Sequence, residues 1–222
     1  MLNLSGVSTQ IAGTSILRDV DLELQTGRMV GLIGRNGAGK TTLLRSIMGV
    51  LPVSAGRITI DGVDMTNQPS HERPKVRVGY MPEDRQLVPS LTAEENILIP
   101  AWAIKLRETE GRLAWVYELM PEVEGFSNRK ALQLSGGQQK LVALARALMT
   151  GSHLLLLDEP FEGIAPILSR RLASVLHTLK DEGLSVLLSE SDYSHSADLV
   201  DQVYTIERGA VSASVVAKGD VA

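Results

Sequence analysis

The sequence predicts an α/β protein in which a mainly parallel sheet carries an antiparallel β layer and an inserted helical subdomain. Continuous apolar runs at 29–33 and 154–157 are typical of strands buried on both faces of a parallel sheet. Apolar and polar residues alternate from 20 to 25, which indicates a half-exposed antiparallel strand. From 92 to about 120 the apolar residues recur at helical spacing. A length of 222 residues suits one such domain.

The composition excludes several classes of protein. The formal charge is −4, from 22 basic and 26 acidic residues, and no basic run offers a surface for nucleic acid. No apolar stretch approaches the ~20 residues that span a bilayer, and the first residues lack a signal-peptide pattern, so we expect a cytosolic protein. The absence of cysteine excludes disulfides and thiolate metal sites.

The antiparallel layer is predicted from three segments of the first 61 residues. Val20–Leu24 alternates as described, and Leu2–Val7 and Arg57–Asp61 complete the layer. A turn at 26–27 leads into the strand Met29–Ile33 of the other sheet. A further core strand is predicted at Val76–Met81, where Pro82 ends it.

The segment after Ile33 matches the phosphate-binding loop pattern G-x-x-x-x-G-K-[ST]. Its residues are Gly34, Arg35, Asn36, Gly37, Ala38, Gly39, Lys40, Thr41 and Thr42. Glycines allow successive backbone N–H groups to point at phosphate oxygens, and the helix that starts near Lys40 adds its dipole. Lys40 supplies a cation for the β- and γ-phosphates, and the Thr41 hydroxyl can ligate Mg²⁺. The sequence therefore predicts a nucleoside triphosphate site.

A separate helical subdomain is predicted at 85–150, between core segments 1–84 and 151–222. Thr92 and Glu95 form a possible capping box at its first helix. A second helix follows, and Pro121 ends it.

A third helix is predicted to start at Ser135, followed by Gly136, Gly137 and Gln138. Ser135 is a good N-cap, so one interpretation is a capped helix without a further role. Two glycines in a first turn weaken a helix, however, and favour a place where backbone approaches a ligand.

Two acids end the apolar strand that begins at Leu154. The carboxyl ends of parallel strands are where open α/β sheets bind ligands. Asp158 could hold Mg²⁺ directly or through water, and Glu159 could orient and deprotonate an attacking water. The alternative is a solvated strand end without function.

Taken together, these segments resemble the ATP-binding subunits of ABC transporters over essentially the whole chain. The phosphate loop at 34–42, the family signature at 134–138 and the aspartate strand at 154–159 stand in the family order. Within the family, the chain looks most like the smaller ATPase subunit of branched-chain amino acid importers. The segments 81–85, 91–96 and 158–166 carry that likeness.

The resemblance implies a P-loop NTPase core with the ABC ATPase fold, binding ATP and Mg²⁺. Two such subunits, identical or different, would face each other and enclose two ATP molecules. Each site would combine the phosphate loop of one subunit with the signature of the other. The helical subdomain would transmit closure to transmembrane permease subunits at the cytoplasmic face of the membrane, supplied with solute by a periplasmic or extracellular binding protein.

Three positions depart from the wider family pattern. Ile11 stands near the place of an aromatic residue that stacks on adenine. Glu83 replaces a glutamine, and its carboxylate can still ligate Mg²⁺. Ala165 stands where many relatives carry an interfacial aspartate.

The family's histidine after the last core strand is also missing. Ser191 occupies that position, and we assign it there as the residue opposite Glu159. His195 lies one helical turn later and could reach the site, or it is an ordinary surface histidine. The remaining histidines, which we expect at the surface, are His71, His153 and His177.

The sequence leaves three functional hypotheses. The first is an ATPase subunit that powers import of a small polar solute, either an amino acid or a urea-like amide. The second is a regulatory partner that binds ATP but hydrolyses little, which Ser191, Ala165 and Ile11 favour. The third is a soluble ABC protein of translation or DNA repair, against which the single compact cassette and the lack of a basic surface argue.

Overall fold

The computed structural model describes residues 1–192 and 195–214, which form ten β-strands and six α-helices. The strands are β1 (Leu2–Ile11), β2 (Thr14–Leu24), β3 (Met29–Ile33), β4 (Ala55–Ile60), β5 (Val63–Asp64), β6 (Val78–Met81), β7 (Leu154–Asp158), β8 (Ser185–Glu190), β9 (Gln202–Glu207) and β10 (Ala210–Ser214). The helices are α1 (Lys40–Ile47), α2 (Ala93–Ile104), α3 (Thr109–Leu119), α4 (Pro121–Glu124), α5 (Gly136–Thr150) and α6 (Pro166–Asp181).

The strands form two sheets, as the α/β prediction requires. The larger sheet has six strands in the order β10-β9-β3-β8-β7-β6, and all its neighbours are parallel except β10 beside β9. The smaller sheet has the order β2-β1-β4-β5 and is antiparallel throughout. The predicted fold class and the antiparallel layer are confirmed.

The apolar run of β7 is continuous because helices or sheet cover both of its faces. Leu154 and Leu156 pack with α1 and the antiparallel sheet, whereas Leu155 and Leu157 pack with α2, α5 and α6. All four leucines are fully buried. A strand with two buried faces has no polar position to alternate, so the sequence reads as an unbroken apolar run.

Some predicted boundaries are wrong because local backbone chemistry overrides the apolar pattern. The core strand predicted at Val76–Met81 starts only at Val78, since a 3₁₀ helix spans Pro74–Val76 and Arg77 follows in the left-handed region at φ 62°. The sequence-based expectations include neither β10 nor α6. Within the described residues β10 pairs with one neighbour, β9. Helix α6 does carry a signal in the sequence, because Leu172, Val175, Leu176 and Leu179 recur at helical spacing and are buried in the structure.

The predicted helix starts are confirmed in detail. The Thr92 N–H donates to Glu95 Oε2 at 2.7 Å, and the Glu95 N–H donates back to Thr92 Oγ1 at 3.1 Å. Pro121 ends α3 and opens the short α4. The division of the chain at 85–150 stays a prediction, because one hydrophobic cluster joins the helices of this segment to the six-stranded sheet.

Candidate nucleotide-binding site

The loop between β3 and α1 has the backbone that the glycine pattern predicts. Gly37 and Gly39 have φ of 82° and 116°, and Gly39 is the N-cap of α1. A side chain at Gly34 would place its Cβ 2.4 Å from the Ile206 carbonyl oxygen, so only glycine fits there. No side chain caps the first turn of α1, which contains Thr41 and Thr42. Its free N–H groups and dipole form a site suited to an anion.

Lys40 is buried beneath this loop and faces Glu159. Its Nζ donates to the carbonyl oxygens of Gly34 and Arg35 and forms an ion pair with Glu159 Oε1 at 2.9 Å. Both side chains are less than a tenth exposed. The predicted phosphate-binding cation and the predicted base therefore lie in direct contact, although 119 positions separate them in the chain.

Asp158 ends β7 as a fully buried carboxylate beside the start of α1. It accepts from Ser189 Oγ at 2.7 Å, from Thr41 Oγ1 at 3.2 Å and from the Tyr80 hydroxyl at 3.4 Å. Burial raises the pKa of Asp158, and these hydrogen bonds oppose that shift. The structure thus brings together Thr41 and Asp158, two of the three residues predicted to hold Mg²⁺.

Glu83, the third predicted ligand, lies in the loop after β6. Partial burial raises the pKa of its carboxyl, and the negative charges of Glu162, Asp158 and Glu159 raise it further. These acids therefore repel one another, a repulsion that a cation among them would relieve. In the parts of the chain described here, no three acidic, histidine or cysteine side chains form a metal cluster of their own. Thr41, Asp158 and Glu83 together fit Mg²⁺ that is held by one or two carboxylates and by substrate phosphates.

Ser191 contacts Glu159, the residue that the family resemblance places opposite it. Its Oγ is 3.0 Å from both Glu159 Oε1 and Asn36 Oδ1, and its N–H donates to Glu159 Oε2 at 3.2 Å. A hydroxyl has one proton and can donate it to only one of the two acceptors at a time. Ser191 therefore joins the phosphate loop to the carboxylate without adding a charge.

His195 contacts α6 and Phe161 rather than the Glu159 side chain. Its Nδ1 lies 3.3 Å from Ser169 Oγ in α6, and its ring is 5.6 Å from that of Phe161. No hydrogen bond joins it to Glu159 or the phosphate loop in residues 1–192 and 195–214. The four histidines, His71, His153, His177 and His195, are all exposed.

The segment at 135–138 forms the capped helix start that the sequence predicts. The Gln138 N–H donates to Ser135 Oγ at 3.3 Å, and the Ser135 N–H donates to Gln138 Oε1 at 2.9 Å. Ser135 and Gly136 are exposed, and Gly137 and Gln138 are half-buried. Within the described residues no hydrogen bond or ion pair connects this segment to the phosphate loop.

Ile11 is the last residue of β1, at the tip of the β1–β2 hairpin, and is 41% exposed. An exposed apolar side chain at this place is able to cover one face of a flat ring. Its predicted role stays a prediction.

Sequence reasoning missed several polar residues that hold the site. Ser189 and Tyr80 contact Asp158, and their only signal is a polar side chain in an apolar strand. Arg146 in α5 donates to the carbonyl oxygen of Gln86 at 2.7 Å and to that of Arg85. It thereby holds the loop after Glu83, and nothing in the local sequence indicates it.

This site and fold define an ATP-binding cassette. The sequence matches the family model "ABC transporter" over residues 17–162, and the chain therefore belongs to the ABC transporter family. It is an ATP-binding subunit of that family and an ATPase. No helix in residues 1–192 and 195–214 combines the length and the apolar character that a membrane crossing requires.

Curated relatives cover nearly the whole chain. The high-affinity branched-chain amino acid transport ATP-binding protein BraG of Pseudomonas aeruginosa is 34% identical over 95% of this chain and 91% of its own length. The probable branched-chain amino acid transport ATP-binding protein LivF of Archaeoglobus fulgidus is 33% identical over 89% and 84%. The lipopolysaccharide export system ATP-binding protein LptB of Escherichia coli is 32% identical over 94% and 87%. The resemblance to the branched-chain subfamily is confirmed, but similar identity extends to a different transport system.

Solved structures agree with the fold. The dimeric structure of a bacterial ABC transporter cassette superposes with a TM-score of 0.86 at 27% identity, covering 98% of this chain and 99% of that one. A dimeric post-hydrolysis state of an ATP-binding cassette with ADP and Pi gives a TM-score of 0.85 at 27% identity, over 98% and 99%.

Proposed function

We propose that the chain is the ATP-hydrolysing subunit of an ABC importer for a small polar solute, a branched-chain or related amino acid. The observation that carries the proposed site is the buried contact between Lys40 and Glu159 beside Asp158. It joins a phosphate-binding cation, a candidate base and a candidate metal ligand in one network. The choice of cargo rests on the similarity to BraG and LivF over most of the chain.

In this proposal Thr41 and Asp158 hold Mg²⁺, with Glu83 as a further oxygen donor. The Thr41 hydroxyl already faces Asp158 at 3.2 Å, and burial together with the charges of Glu162, Asp158 and Glu159 raises the pKa of Glu83. When bound, Mg²⁺ supplies positive charge that neutralises charge on the ATP phosphates.

Glu159 accepts the proton of the attacking water in the proposed reaction. In the structure its carboxylate is shared between Lys40 and Ser191. The doubly charged γ-phosphate is a stronger partner for the Lys40 ammonium than the Glu159 carboxylate is. ATP binding therefore draws the ammonium away from Glu159. The Ser191 N–H and hydroxyl then keep the carboxylate oriented while it acts as a base.

The segment Ser135, Gly136, Gly137 and Gln138 acts on the nucleotide of a second ATP-binding subunit. Its exposure and its lack of bonds to this chain's own loop, within the described residues, support that assignment, as does the dimeric cassette of similar fold. Ile11 covers one face of the adenine of this chain's own nucleotide. Transmembrane permease subunits hold the pair at the cytoplasmic face, and a periplasmic or extracellular binding protein delivers the solute. Nucleic acid has no role, in keeping with the net charge of −4.

Deletion of the gene in its source organism tests this function. Uptake of radiolabelled leucine, isoleucine and valine should fall, and the wild-type gene should restore it while Glu159→Gln should not. Full uptake of these amino acids in the deletion strain would contradict the cargo. If the deletion strain keeps amino acid uptake but loses uptake of labelled urea or acetamide, the chain belongs to an amide importer.

A regulatory partner with weak hydrolysis is the second candidate, and the uncharged Ser191 opposite Glu159 favours it. This candidate predicts that the purified chain releases phosphate slowly, at a rate that Glu159→Gln does not change. Release that depends on Glu159 supports the ATPase subunit.

A further inference from the structure

Lys140 is a buried ammonium that none of the steps above uses. It lies in α5, five residues after Ser135, and is only 3% exposed. Its Nζ donates to the carbonyl oxygen of Glu159 at 2.7 Å and to that of Glu162 at 2.6 Å. Burial, helped by the charge of Arg85, lowers the pKa of Lys140 to about 8. A cation placed at such a cost on two backbone oxygens indicates that their position matters.

The two carbonyls belong to a turn with an unfavourable backbone. Glu159 has φ of 48°, in the left-handed region that non-glycine residues rarely adopt. Its N–H donates to the Ser189 carbonyl at 3.1 Å, and its own carbonyl also accepts from the Glu162 N–H at 3.2 Å. Such a conformation persists only where surrounding contacts fix it. Ser189 fixes it on the amide side, and Lys140 fixes it on the carbonyl side.

Helix α5 carries this contact to the other functional segment of the chain. Ser135 is the N-cap of α5, and Lys140 lies about 7.5 Å further along the axis of the same helix, from a rise of 1.5 Å per residue. A helix of 15 residues with a buried face moves as a rigid element.

We propose that Lys140 is a positioning residue that fastens the start of α5 to the turn at Glu159–Glu162. The segment offered to a partner's nucleotide then moves together with the carboxylate that acts on this chain's own nucleotide. The inference rests on the proposed function, in which Glu159 orients the attacking water.

The test compares purified full-length variants. Lys140→Met keeps the length and apolar stem of the side chain but removes its donors, and Lys140→Arg keeps a cation with several donors. Val142→Ala, in the same helix and fully buried, controls for lost packing. Steady-state ATP hydrolysis gives kcat and KM, and hydrogen exchange by mass spectrometry without nucleotide reports the amides of residue 159 and of residues 161–163, since residue 160 is proline.

Lys140→Met should lower kcat by roughly 10- to 100-fold with KM for ATP changed by less than about twofold, because the base is misplaced while phosphate binding remains. Exchange at 159–163 should become faster, and Lys140→Arg should restore most of both. If Lys140→Met does not fold, Lys140→Gln is judged by the same two measurements.

Equal kcat and equal exchange in Lys140→Met and Val142→Ala would overturn the proposal and leave Lys140 a packing residue. A rise in the KM for ATP in Lys140→Met, with kcat unchanged, would also overturn the proposal. The parallel variant Glu159→Gln separates the two hypotheses. If it hydrolyses ATP as fast as wild type, the proposed function fails, and exchange alone then decides whether Lys140 holds the turn.

Discussion

Helices α1 and α5 both start in glycine-containing segments, but a side chain caps the first turn of α5 and none caps that of α1. Helix α1 starts after Gly39, which has a left-handed backbone and no side chain to cap the free N–H groups. Helix α5 starts after Ser135, which forms a reciprocal capping box with Gln138. Uncapped N–H groups are an open anion site, whereas the capping box uses two of them within the chain.

The starts of α1 and α5 also differ in burial and in charge. The loop before α1 encloses the buried Lys40, and Glu159 completes its charge balance. The start of α5 is exposed and holds no cation among residues 135–138. The first region is therefore a nearly complete phosphate site inside one chain. The second supplies a helix dipole, a hydroxyl and bare amides, and the Arg85 guanidinium lies beside it and donates to Gln139. Under the proposed function these groups close a site that a partner has already charged.

The largest expected effect separates hydrolysis from binding in the first region. Glu159→Gln keeps the size of the side chain but removes the base, so phosphate release should fall ~10²–10⁴-fold while ATP affinity persists. Phosphate release and calorimetry measure the two quantities. Equal loss of both would show that Glu159 serves binding rather than chemistry.

The variant Glu159→Gln also tests the role of the start of α5. With hydrolysis stalled, Glu159→Gln should form a closed dimer in Mg-ATP, detected by light scattering after gel filtration. Adding Ser135→Arg should abolish that dimer by placing bulk and a misplaced charge at the exposed helix start. A double variant that still closes would contradict the role of Ser135 towards a partner's nucleotide.

Lys40→Ala should weaken ATP binding roughly 10- to 100-fold, because a charge-assisted contact to phosphate is worth about 1.5–3 kcal/mol. Lys75→Ala is the matched control, since Lys75 is an exposed lysine paired with Glu72. Unchanged affinity in Lys40→Ala, measured by calorimetry, would contradict the phosphate site itself.

A smaller effect is expected at Ser191. A serine can donate a hydrogen bond but cannot become a cation opposite Glu159, whereas histidine can do both. Ser191→His should therefore raise turnover, and we expect the site built on this phosphate loop to be slower than that of a partner with histidine. His195→Ala should leave turnover nearly unchanged, because His195 contacts Ser169 and Phe161. Loss of hydrolysis in His195→Ala would show that the role assigned to Ser191 belongs to His195.

The smallest effect concerns stability behind the phosphate loop. Burial raises the pKa of Glu190 to about 7 from an ordinary 4.5, against the hydrogen bond from Ser196. The native state thus binds this proton more tightly, so the cost of ionising Glu190 is absent below pH 4.5 and complete above pH 7. Glu190→Gln should therefore raise the free energy of unfolding more at pH 8 than at pH 5. Each tenfold difference in proton affinity between the native and unfolded states is worth about 1.4 kcal/mol.

Urea unfolding at the two pH values measures this difference. Glu182→Gln, at an exposed glutamate after α6, is the control variant. An equal gain at pH 5 and pH 8 would contradict a buried, protonated Glu190.

The sequence by itself determined the parts of this protein whose cause is local. The phosphate loop needs glycines at fixed spacing, Thr92 and Ser135 cap helices through neighbours three residues away, and the run at 154–157 records a strand buried on both faces. Each of these features can be predicted from neighbouring residues, because backbone geometry and capping act over a single turn.

Only the tertiary structure decided which distant residues meet. The contact of Lys40 with Glu159, the donors around Asp158 and the hold of Lys140 on the turn at 159–162 join segments from different strands and helices. The order of the strands brings their carboxyl ends together, and short-range patterns carry no information on that order. Burial then shifts ionisation, since desolvation in the folded chain raises the pKa of Glu190 and lowers the pKa of Lys140.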